Sequence, residues 1–233
     1  MAETDWTELQ GGLDSNVVDR GVSAGIPRPP GGGSFAFGFH SLTTAAGAVG
    51  YFYNRAGFAP MPKGMSVRAA VQRGVSGGPT GFSGFVFAGL QNPSVTDTGY
   101  LLGLSDEDPH RIVLKKGVLA TGIPPSSAPG TGILRVSTPT FAPGTYVHLR
   151  LDMTVNPNGD VLLDAWQNDL EAHPIGTPPD WQPVAGMATF VDDALAINTG
   201  SQPFTSGRAG FGFQSADVTR RVFVDHIEVI RQD

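Results

Sequence analysis

The residues best suited to chemistry cluster between positions 146 and 168. His148, Arg150 and Asp152 alternate with Val147, Leu149, Leu151 and Met153, and Asp164 and Trp166 share a second alternating run. Residues two apart on a strand face the same way, so each set forms a polar row on one side of a strand. An indole ring beside carboxylate, imidazole and guanidinium groups suits a sugar, whose apolar ring face stacks on aromatics while its hydroxyls take hydrogen bonds. If the two rows lie on one sheet, they make a polar groove with one aromatic. The plainer alternative is an ordinary solvent face on which Trp166 covers the sheet edge.

Catalytic sets are harder to assemble. A retaining glycoside hydrolase needs two carboxyls about 5–5.5 Å apart. The nearest candidates are Asp164, Asp169 and Glu171, and the last two fall at a strand end. None of the five histidines (His40, His110, His148, His173, His226) accompanies a G-x-S-x-G elbow, so serine hydrolase chemistry has no anchor. Asp225 and His226 are adjacent, so strict alternation sends them to opposite faces, which makes a poor metal pair. Calcium is the metal the sequence leaves room for. Asp192-Asp193 and Asp106-Glu107-Asp108 read as hard oxygen donors in loops, against the alternative that they cap turns or sit in solvent. No other cofactor is expected. With no cysteine, the chain has no disulfide, thiolate zinc site or thiol nucleophile.

The elements that must position these residues are strands. The 233 residues include 32 Gly and 19 Pro, only 15% are charged, and 40% are hydrophobic with 14 Phe. Many turns, few charged helical faces and enough apolar mass for a core predict an all-β, two-sheet antiparallel sandwich of the jelly-roll class. The net charge of −6 and the absence of any basic run beyond Lys115-Lys116 and Arg220-Arg221 exclude a nucleic-acid partner. No apolar stretch approaches the roughly 18 residues of a membrane span. The acidic start, Met1-Ala2-Glu3-Thr4-Asp5-Trp6, lacks the apolar region of a signal peptide. Residues 1–30 read as an extended, proline-punctuated arm or edge strand, with Trp6, Val17 and Val18 as its partner-binding residues. Residues 31–233 read as one sandwich domain. The clearest hairpin is 146–168, because Asn156-Pro157-Asn158-Gly159-Asp160 is a tight-turn sequence. Residues 171–206 read as long and irregular, with a short helical turn near Asp192–Ala196.

Two segments carry a family resemblance. Gly207-Arg208-Ala209-Gly210-Phe211-Gly212-Phe213 followed by Val222-Phe223-Val224-Asp225-His226-Ile227-Glu228-Val229-Ile230 is similar to the last two strands of concanavalin A-like lectin/glucanase domains, laminin-G-like modules included. The 146–168 hairpin resembles one in the same superfamily. This implies a concanavalin A-like jelly roll. Glucanases of that fold carry an E-x-D-x-x-E run on one strand, which this chain lacks, so the reading is non-enzymatic. A narrower set, 57–64, 100–106 and 190–201, resembles virion proteins of tailed bacteriophages. It implies a capsid-decoration or head/tail surface protein made in the host cytoplasm and displayed in multiple copies on a symmetric particle. Its partners would be capsid or tail subunits and host-surface glycans. The alternative is a carbohydrate-binding, lectin-like module, and glycoside hydrolysis ranks last.

Overall fold

In the computed structural model, the described residues are 6–11, 16–20, 29–32, 37–41, 48–54, 64–73, 82–90, 98–123, 126–127, 132–193, 202–215 and 222–231. Among them the strands are β1 (Trp6–Gly11), β2 (Asn16–Arg20), β3 (Phe37–Ser41), β4 (Ala48–Asn54), β5 (Gly64–Arg73), β6 (Phe82–Leu90), β7 (Thr98–Leu104) and β8 (Ile112–Val118). After a short 3-10 turn at Leu119–Thr121 come β9 (Ile133–Val136), β10 (Tyr146–Val155), β11 (Val161–Asn168), β12 (Gln182–Pro183), β13 (Phe190–Asp192), β14 (Arg208–Ser215) and β15 (Val222–Arg231).

These strands form two antiparallel sheets. One runs β1-β4-β14-β6-β7-β8-β9; the other runs β12-β11-β10-β5-β15-β3-β2, with β13 paired to β11. The fold is the expected all-β, two-sheet antiparallel sandwich. Its core is built from alternate positions. Met65, Val67, Ala69 and Val71 of β5 lie beside Val147, Leu149, Leu151 and Met153 of β10 and Val161, Leu163 and Ala165 of β11. Facing them from the other sheet are Val86, Ala88, Leu102, Leu104, Ile112, Leu114, Phe211 and Phe213. Each large side chain buried this way contributes about 1.5–3 kcal/mol.

The intervening residues of β6–β8 are buried too. Phe85, Phe87, Leu101 and Val113 form a second cluster with Leu90, Leu119 and Ile123. The 119–123 stretch therefore covers the outer face of the first sheet, which is why these strands read as nearly continuous apolar runs. Packing there is close enough to require glycine. A Cβ on Gly103 would lie 2.5 Å from Phe85 Cβ and also strike the Gly84 carbonyl. Gly103→Ala is expected to cost about 1–3 kcal/mol as an overpacked site, read as a lower midpoint in denaturant unfolding.

The hairpin turn forms as its sequence predicts. Gly159 takes φ +91°, its N–H donates to Asn156 O at 2.9 Å, and Asn156 N–H donates to Asp160 O at 2.9 Å. At the N-terminal end, β1 pairs antiparallel with β4 and β2 with β3. Trp6, Val17 and Val18 thus lie in the outermost strands of the two sheets.

Candidate functional site

The polar face of the second sheet is set by register. Residues 66, 68, 70 and 72 of β5 alternate with its core residues and so point away from the core. In β10 and β11 the residues opposite one another are His148 and Asn168, Arg150 and Trp166, and Asp152 and Asp164. Across β5 they are His148 and Ala70, Arg150 and Arg68, and Asp152 and Ser66; Glu228 of β15 stands opposite Arg68. All five residues of the sequence-derived groove therefore share one face.

At its centre Arg150 grips Asp152 through two parallel bonds, Nε to Oδ1 at 2.7 Å and Nη2 to Oδ2 at 2.6 Å. Arg150 Nε also reaches Ser66 Oγ at 3.0 Å, and the Ser66 hydroxyl donates to Asp152. A bidentate guanidinium–carboxylate pair fixes both side chains in one geometry. The guanidinium lies 6.0 Å from the Trp166 ring and 5.8 Å from the Trp181 ring, so two indoles flank one cation. Asp164 accepts from the Thr189 hydroxyl at 2.5 Å.

Trp181 is not among the glycan-facing residues expected from the sequence. It comes from the irregular 171–206 stretch and packs on His148, with ring centroids 4.6 Å apart. His148 is 2% exposed, so it lies beneath Trp181 rather than facing solvent as expected. Burial above all, then His226 and Arg68, lowers its pKa to about 3. His226 departs from strict alternation. The β15–β5 register slips between Asp225 and Glu228, and His226 takes φ +51°. A bulge of this kind re-aims a side chain, and here it brings the His226 ring to 5.7 Å from His148. Burial and Arg68 lower the His226 pKa as well. Arg68 forms an ion pair with Glu228.

Over this part of the face lies a cavity of about 320 Å³, lined by Arg68, His148, Asn168, His226 and the 173–179 segment. A neighbouring cavity of about 640 Å³ is lined by Gln72, Tyr146, Asn168, Asp169 and Glu171, among others. Asp169 and Glu171, two of the three carboxylates offered for hydrolysis, line the second of these cavities, and Asp164 lines neither.

Of the Asp192-Asp193 pair offered for calcium, Asp192 points into the protein. Asp192 ends β13, is 0% exposed, and accepts from Lys116 Nζ at 2.6 Å and from the Tyr100 hydroxyl at 2.6 Å. Both bonds fall on Oδ2, and Oδ1 is buried without a hydrogen-bond partner. The helical turn expected at 192–196 begins on a strand instead, and 194–196 and the surroundings of Asp193 beyond it fall outside the described residues. Glu107 accepts from Ser105 Oγ at 2.9 Å and from Ser126 N at 3.3 Å, the turn-capping alternative. Among the described residues, no group of three or more His, Asp or Glu side chains is placed to hold a metal ion.

No family profile and no curated protein sequence matches the chain. Solved structures do. Cellulose induced protein Cip1 aligns with TM-score 0.54 at 12% identity, covering 100% of this chain and 94% of that one. The exoplasmic/lumenal domain of VIP36, in a form bound to Ca2+ and Man3GlcNAc, aligns with TM-score 0.52 at 11% identity over 98% and 84% of the two chains. A protein of unknown function from Shewanella oneidensis MR-1 aligns with TM-score 0.51 at 10% identity over 98% and 79%. The chain shares the lectin-like jelly-roll fold with these proteins, and identities this low speak for fold alone.

Proposed function

We propose that this chain is a non-enzymatic carbohydrate-binding domain whose glycan lies on the polar face of β5, β10 and β11. The observation that carries the reading is the Trp166–Arg150–Trp181 arrangement, two partly buried indoles around a guanidinium held rigid by Asp152. Aromatic surface of this kind takes the apolar face of a sugar ring, and fixed polar groups beside it take the hydroxyls. Because the pair is already locked in place, little side-chain freedom is lost on binding. Sharing a fold with a domain seen bound to Man3GlcNAc supports the class of ligand and leaves the residues to be tested here.

Catalysis fits the same groups poorly. Both Asp152 oxygens accept hydrogen bonds from Arg150, and Oδ1 takes the Ser66 hydroxyl as well, which leaves neither oxygen to donate a proton as a general acid must. Of the segments that resemble virion proteins, 57–63 and 194–201 lie outside the described residues; in the remainder Tyr100, Leu101, Leu102, Leu104 and Phe190 are core residues.

A glycan array followed by calorimetric titration tests the proposal. Wild-type protein is expected to retain at least one glycan, and Trp181→Ala and Arg150→Ala to weaken that binding by tenfold or more while keeping the wild-type circular dichroism spectrum. A wild-type protein that retains no glycan, or variants that bind as well as wild type, would overturn it.

A further inference from the structure

The cavity beneath the 173–179 segment is a built site with unanswered hydrogen-bond donors. The proton positions follow from the network. Asn168 Oδ1 accepts from Asp180 N–H at 2.9 Å, which fixes Asn168 Nδ2 as the donor side of its amide. That Nδ2 donates to His173 O at 3.0 Å and lies 3.3 Å from His148 Nδ1. Nδ1 is therefore the acceptor, and in a neutral imidazole the proton sits on Nε2. The lowered pKa of His148 keeps the ring neutral. Yet Nε2 is buried and has no hydrogen-bond partner. The same is true of Arg68 Nε, an obligate donor, since Glu228 takes the Nη2 of that guanidinium. A buried donor left unpaired costs about 1–3 kcal/mol, so two such donors on side chains that line one cavity mark a place where an acceptor belongs.

The cavity's lining supports the same conclusion. It contains Arg68, three histidines and Asn168, and no Asp or Glu. Its roof is stiffened by Pro174, Pro178 and Pro179, whose φ angles are fixed. Backbone bonds tie it down: His173 N–H to Asp169 O at 2.8 Å, Ile175 N–H to Pro30 O at 2.8 Å and Thr177 N–H to Pro174 O at 3.0 Å. A volume of about 320 Å³ lies at the small end of ligand pockets, enough for one sugar unit.

Resting on the carbohydrate-binding reading above, we infer that this cavity is a subsite for the carboxylate of an acidic sugar, a uronic acid residue, received by His148 Nε2–H and Arg68 Nε–H. A carboxylate offers two oxygens, each able to accept one of these donors, and charge-assisted bonds to Arg are the stronger kind. A neutral hydroxymethyl group offers one oxygen and no charge. The site therefore discriminates at the substituent on the sugar ring, while the indoles and Arg150 bind the chain on either side.

The test uses the whole chain and matched probes: oligogalacturonate and oligoglucuronate of defined length, and each with its carboxyls reduced to hydroxymethyl groups, beside a panel of neutral oligosaccharides. Wild type is expected to bind at least one uronate at least tenfold more tightly than its reduced form. Arg68→Lys keeps the charge but removes the Nε–H, and His148→Phe keeps a ring but removes the Nε2–H; each is expected to bring that ratio close to one. Should His148→Phe fail to fold, Arg68→Lys decides alone. Equal binding of acid and reduced forms, or retention of neutral glycans without either uronate, overturns the carboxylate subsite and leaves the carbohydrate reading standing. Binding of no saccharide at all overturns both.

Discussion

Asp192→Ala is expected to destabilise the protein by about 3–5 kcal/mol, the usual result of removing one partner of a buried ion pair. Lys116 of β8 and Asp192 of β13 belong to different sheets, and their side chains are 2% and 0% exposed. Asp192 holds the Lys116 ammonium at 2.6 Å and the Tyr100 hydroxyl at 2.6 Å. Lys116 Nζ also donates to Gln202 O at 3.0 Å and lies 4.8 Å from the Phe204 ring. Phe204 N–H in turn donates to Tyr100 at 3.0 Å. Burial, and then the Asp192 carboxylate, raises the Tyr100 pKa far above its ordinary range, so it remains a phenol and a donor. Deleting the carboxylate strands a buried ammonium without its counter-charge and takes the acceptor from Tyr100. For a chain of this size the loss is a fall of about 6–20 °C in Tm. The double replacement Lys116→Met with Asp192→Leu is expected to lose much less than Asp192→Ala alone, because no uncompensated charge remains. Chemical denaturation of the two variants checks this. A single-variant loss under about 1 kcal/mol would show that the pair does not bind the sheets together.

That pair also marks where sequence reasoning stops. Asp192 and Lys116 are 76 residues apart, and nothing local to Asp192-Asp193 separates a loop calcium ligand from a buried counter-ion. Lys115-Lys116 reads as a short basic run, yet both lysines are buried and point to opposite faces. Lys116 turns to the inter-sheet core. Lys115 turns outward to Thr121 Oγ1 at 2.5 Å and Gly122 O at 2.9 Å, with burial lowering its pKa to about 8. The groove was legible for the opposite reason. In 146–168 the period-two pattern and the Asn-Gly turn fix the register between them, and register alone sets Arg150 against Trp166 and Asp152 against Asp164. Trp181 and the roof over the small cavity come from a stretch with no periodicity, where position is decided by contacts and not by a local rule. The bulge at His226 was hidden likewise, since an inserted residue leaves the apolar pattern of β15 almost intact. Within the 171–206 stretch Pro174, Pro178 and Pro179 act locally, each fixing its own φ.

His148 carries the second large effect, and its sign follows from linkage. In the unfolded chain a histidine titrates near 6.5; in the fold burial above all, with His226 and Arg68, takes His148 to about 3. Between those values the unfolded chain binds a proton that the folded chain refuses. The stability associated with a neutral His148 is therefore complete above about pH 6.5 and is lost progressively as pH falls toward about 3. Each unit of separation is worth about 1.4 kcal/mol, so between pH 7 and pH 4.5 this group alone accounts for about 2–3 kcal/mol. His226 shifts in the same direction, with a smaller effect because it is exposed. Carboxylates that gain partners on folding also lose stability in acid, so the informative quantity is a difference. His148→Asn places an amide oxygen where Nδ1 accepts from Asn168 and removes the titrating ring. Its unfolding free energy is expected to be lower than wild type at pH 7, through the lost contact with Trp181, but to fall by about 2–3 kcal/mol less on going to pH 4.5. Parallel pH profiles for the two proteins would mean that His148 is not held neutral. The tautomer that places the proton on Nε2 would then lose its basis, which ties the acid sensitivity of the fold to the same imidazole that the proposed subsite employs.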